Sequence, residues 1–86
     1  MQVIEIKNLT RKDIPLYYRR EFIGSVVFQY MDATTEKRID FSLESNPFGH
    51  IEVKVTFIDE VDYPLVPIVK SLKEYILNME REGGLP

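Results

Sequence analysis

Few side chains in this chain are equipped for covalent or acid–base chemistry. Its one imidazole, His50, follows the turn signal Ser45-Asn46-Pro47-Phe48-Gly49 and opens a run of alternating residues, on the outward side of that run. A catalytic nucleophile needs a base beside it and a third group to orient that base. Ser25, Ser42, Ser45 and Ser71 stand in no nucleophile-elbow context, and the chain has no cysteine. His50 therefore reads as a surface residue and the chain as a non-enzyme. The four glycines, Gly24, Gly49, Gly83 and Gly84, make no phosphate-cradling loop. Asp59, Glu60 and Asp62 are the one acidic cluster. A calcium loop alternates its oxygen ligands around a glycine, which these neighbouring acids do not do. Negative charge before a helix is the simpler account of them. No catalytic residue, metal or cofactor is expected.

Two other constellations point to binding. Residues 7–20 hold five cations, Lys7, Arg11, Lys12, Arg19 and Arg20, against one acid, Asp13, a local balance of +4 in a chain whose net charge is −3. Arg11, Lys12, Arg19 and Arg20 flank Tyr17 and Tyr18. Cations neutralise phosphates and tyrosine rings stack on unpaired bases, so this arm is a candidate RNA or anion contact. The acidic total and the lack of any RNP, KH or helix-turn-helix signature argue against nucleic acid. The second constellation is apolar. In the run Phe22–Met31, Ile23, Val27 and Met31 share one parity and Phe22, Val26, Phe28 and Tyr30 the other. If one set faces a core, the other needs a cover, and an exposed apolar patch marks an interface. The cover is either the preceding arm, through Leu9, Ile14, Leu16 or Tyr17, or a second molecule.

The elements that must position these residues are legible. Gln2–Lys7 reads as a short strand with Ile4 and Ile6 on one face, and residues 8–21 as an irregular arm, since Pro15 excludes a long helix. Phe22–Met31 is β-branched and aromatic and forms a second strand; residues 32–37 connect it to a third. Arg38–Glu44 alternates with Ile39, Phe41 and Leu43 inward, and His50–Ile58 with Ile51, Val53, Val55 and Phe57 inward. Leu65, Ile68, Val69, Leu72, Ile76 and Met79 line one face of a helix over residues 65–82, widened by Tyr75. Asp62 is the expected N-cap and Gly83-Gly84 the stop, with 83–86 a frayed tail.

These elements predict one α+β domain over residues 1–86. It has two layers: a mainly antiparallel four-stranded sheet in the order β-loop-β-β-β-α, with one long C-terminal helix packed on one face. The 86 residues, 44% hydrophobic and 29% charged, allow one modest core. No stretch approaches a membrane span, the N-terminus has no signal-peptide run, and the lack of cysteine fits a reducing cytoplasm. The expected function is a small cytoplasmic binding or adaptor domain acting by protein–protein contact, with a homodimer among its forms. The alternative is an RNA- or anion-binding module built on the basic arm.

Overall fold

The computed structural model describes residues 2–62 and 64–86. Four strands, β1 (Gln2–Arg11), β2 (Arg19–Tyr30), β3 (Ala33–Ser45) and β4 (Ile51–Phe57), precede one helix, α1 (Leu65–Arg81). The strands pair antiparallel in the order β1-β2-β3-β4, a meander in which each strand lies beside its neighbour in sequence. The helix lies on one face. This is the α+β layering expected from the alternation of β3 and β4 and the 3.6-residue stripe of α1.

The core lies between that face and the helix. Phe22, Val26 and Phe28 from β2, Ile39, Phe41 and Leu43 from β3, Val53 from β4, and Ile68, Leu72 and Ile76 from α1 are all buried. Phe22 and Phe41 face each other across the β2–β3 ladder with stacked rings, 5.1 Å between centroids. Val3, Ile6 and Leu9 of β1 pack against the same cluster.

Several local expectations are corrected. Asn8–Arg11 and Arg19–Glu21 are strand, so the irregular arm of residues 8–21 shrinks to residues 12–18. β1 is longer because it is bulged. Its register against β2 slips between Val3 and Glu5 and again between Lys7 and Thr10. Asn8 takes φ 53°, a conformation asparagine tolerates better than most residues. Each slip adds one residue, which turns Val3, Ile6 and Leu9 inward and leaves Ile4 largely exposed, against the expected pairing of Ile4 with Ile6. The β2–β3 connection is not residues 32–37 but a two-residue turn at Met31-Asp32, closed by the pair Tyr30 and Ala33. Both turn residues have positive φ, 49° and 65°, as a type I′ hairpin demands.

At the helix start, Pro64 occupies the N-cap position without a side-chain cap, and no acid lies in the first turn. Asp62 is therefore not the cap. At the other end, Gly83 has φ +70°, its N–H bonds Glu80 O at 3.2 Å, and Gly84 N–H bonds Met79 O at 2.8 Å. This is a complete Schellman closure. It folds residue 85 back, and Leu85 packs on the core rather than fraying.

Candidate functional site

The charged residues of the first half follow the period-2 alternation of the strands they flank. Arg19 and Arg20 are adjacent at the start of β2, so they leave opposite faces of the sheet. Arg20 turns to the helix side and pairs with Glu80 of α1. Arg19 turns the other way and donates to Glu21 and Glu44, each at 3.2 Å. Lys12 reaches Asp40, and Lys7 reaches Glu36 at 2.7 Å. That Glu36 contact raises the Lys7 ammonium above its ordinary pKa, through the hydrogen bond and then the charge. Arg11 ends β1, exposed and with no ion-pair partner among the described residues. The candidate basic arm is thus not one cationic surface. Lys12, Arg19 and Arg20 are each satisfied by acids of the same chain, on two faces.

The apolar strip is also divided. Ile23 and Val27 sit on the sheet face opposite the helix, but Met31, in the positive-φ turn, leaves the pleat and stands 81% exposed at the strand end. Leu9 does not cover Ile23 and Val27, because it packs on the inner side over Gly24. Ion pairs do. Lys7 is opposite Ser25 and Glu36 opposite Val27, so their bridge crosses β2 between those two residues. Lys12, whose N–H bonds Glu21 O, and Asp40, opposite Ile23, bridge β2 in the same manner. Lysine stems laid over apolar surface shield it while the charged heads stay wet. Ile23 is left 37% exposed, a narrow patch rather than a docking face.

The large exposed apolar groups concentrate instead at one end of the sheet, where β1 and β3 finish and β2 and β4 begin. Tyr17 is 98% exposed and Phe48 85% exposed. Tyr17 packs edge-on against Tyr18, at 5.8 Å and 88°. Their loop is clamped at both ends, by Lys12 N–H on Glu21 O at 2.8 Å and by Ser45 N–H on Tyr18 O at 2.9 Å. The β3–β4 turn is equally fixed. Asn46 Oδ1 accepts from the N–H of Phe48 at 2.9 Å and of His50 at 3.0 Å, and Gly49 takes φ +82°. An asparagine turn of this kind holds the Phe48 ring out at its tip. Between the two loops runs an open groove of about 640 Å³ lined by Tyr17, Tyr18, Glu44, Ser45, Asn46 and Pro47.

Sequence reasoning singled out Tyr17 but missed Phe48, Pro47 and Asn46, which it used only as a turn signal. An aromatic residue inside an Asn-Pro-x-Gly turn is itself a sign of exposure, since the turn gives it no core to enter. His50 adjoins this end as an exposed residue, and its ring has no hydrogen-bond partner among the described residues. No trio of His, Cys, Asp or Glu that could hold a metal occurs among the described residues.

Residues 1–81 match the model of the BB_0187 family, and the chain belongs to that family. No curated protein and no solved structure matches it.

Proposed function

We propose that this family member is a non-catalytic binding module that acts by protein–protein contact through the aromatic end of its sheet. One observation carries the reading: Tyr17 and Phe48 stand almost fully in water on two loops pinned by backbone hydrogen bonds, flanking an open groove. Exposed aromatic rings held rigid lose little entropy on binding, and tyrosine is among the residues that dominate interface energies. The pairing of Lys12, Arg19 and Arg20 with acids of the same chain, and Glu44 in the groove wall, favour a protein over a polyanion. Among the described residues no helix is long and apolar enough to cross a membrane. A cytoplasmic setting belongs to the proposal, and the cysteine-free composition fits it.

The test is affinity capture from native lysate with the wild type and with Tyr17→Ala plus Phe48→Ala, at low and high salt, with and without nuclease. A protein retained by the wild type through nuclease and salt should fall about tenfold or more with the double variant, as loss of two interface anchors implies. Its denaturation midpoint should stay unchanged, because neither ring is in the core. RNA that salt releases would replace this reading with the nucleic-acid one, and retention of every partner by the double variant would remove the aromatic end from the site.

A further inference from the structure

The two edges of the sheet differ. β1 is interrupted by slips around Ile4 and Asn8, which spoil it as a template for another strand. β4, Ile51–Phe57, pairs with β3 without a slip over all seven residues. Its hydrogen-bond phase can be read directly. Ile58 N–H bonds Arg38 O, and Asn46 N–H bonds His50 O, each at 2.9 Å. Even-numbered residues of β4 therefore turn their backbone groups to β3, and Ile51, Val53, Val55 and Phe57 turn theirs to the open edge. On the side chains the assignment is reversed in kind: Glu52, Lys54 and Thr56 lie on the face away from the helix, and the odd residues on the helix face.

We infer that β4 is an interface for a second copy of this chain, paired antiparallel across a two-fold axis at Val53. Only an odd-numbered residue can sit on the axis, because only odd residues have edge-facing N–H and C=O groups. Centred on Val53, the ladder puts Ile51 opposite Val55 of the second copy on the helix face. On the outer face it puts Glu52 opposite Lys54, and by symmetry Lys54 opposite Glu52. These charged pairs fall at the non-hydrogen-bonded positions, where Cα atoms approach to about 4.5 Å and side chains meet most closely. Centred on Val55, the same edge would set Lys54 against Thr56, and centred on Ile51 it would set Glu52 against His50. One register of the three pairs opposite charges twice. A lysine and a glutamate on an open edge discourage neutral strands, yet here they complete one another when the incoming strand is the chain's own. The helix leaves this open, being anchored across the sheet: Tyr75 Oη donates to Ile4 O of β1 at 3.3 Å, and Glu80 holds Arg20 of β2. This interface is independent of the aromatic end.

Sedimentation equilibrium over a concentration series tests it on the full chain. The wild type should dimerise, and Lys54→Glu, which sets glutamate against glutamate twice, should weaken the dimer about tenfold or more. Glu52→Lys combined with Lys54→Glu exchanges the charges and should restore the affinity to within about threefold. The native chain has no cysteine, so oxidation of mixed Glu52→Cys and Lys54→Cys proteins reads the register directly. A disulfide should form in the mixture and not with either variant alone. A wild type that stays monomeric, a dimer indifferent to Lys54→Glu, a failed rescue by the exchange, or crosslinking of either cysteine variant with itself would each overturn the assignment.

Discussion

Asp59 stands where negative charge would complement a helix N-terminus, yet its partner is Arg38. Its carboxylate accepts from the Arg38 guanidinium at 2.7 Å and from the Arg38 backbone N–H at 2.9 Å. The side-chain bond and then the backbone bond hold its pKa down to about 2, against an ordinary 3.8. A carboxylate with a depressed folded pKa contributes stability that is full above the unfolded value and disappears as pH falls through the folded one. Unfolding of the wild type followed from pH 5 to pH 2 should therefore lose stability between about pH 4 and pH 2, and Asp59→Asn should flatten that limb. An unchanged limb would assign it to other carboxylates. Gly24 makes a second argument at this scale. A Cβ there would lie 3.1 Å from Ile6 Cγ2, 3.2 Å from Lys7 O and 3.3 Å from Leu9 Cδ1, with a backbone carbonyl among the atoms that must give way. Gly24→Ala should cost about 1–3 kcal/mol in urea denaturation, as overpacking does. None of this was legible in the sequence, because both effects arise from neighbours distant in the chain, brought close by strand pairing or across a bulge.

Regular elements were legible where their period is regular. The stripe of α1 predicts its buried face, and Ile68, Leu72 and Ile76 lie in the core. Leu72→Ala should cost about 2–5 kcal/mol, measured by the same denaturation, and a loss below about 1 kcal/mol would put the core elsewhere. β3 and β4 follow their alternation for the same reason. β1 does not, because two extra residues reset its parity and nothing in Gln-Val-Ile-Glu-Ile-Lys announces a bulge. The β2–β3 turn was misplaced because Met-Asp lacks the glycine that ordinarily marks a type I′ hairpin, while Ala-Thr-Thr-Glu-Lys looks polar enough to be a loop. The helix start was misread through Asp62, where the chain makes no side-chain cap at all. Its end was read correctly as a glycine stop, but the Schellman closure that ties Leu85 to the core is a geometric result that two glycines alone do not reveal.

Across the whole molecule, charge and apolar surface are distributed differently from their order along the chain. A stretch with a balance of +4 becomes a set of internal ion pairs once strand alternation splits it between two faces, and the net charge of −3 is the better guide to the surface. The candidate site was half legible. Tyr17 stands out by its position between cations, whereas Phe48 joins it only because an antiparallel meander brings the first and third connections to the same end. The strand order has a further consequence, in kinetics. Every sheet pairing closes between consecutive segments, and the β2–β3 ladder turns on two residues, so little loop entropy is spent before contacts repay it. The long closure is left to the helix, whose Tyr75 meets Ile4 across 71 positions. Such a chain assembles its sheet by successive zippering and seals the core last, which places its folding among the faster of sheet-containing domains and confines its slow step to the docking of α1.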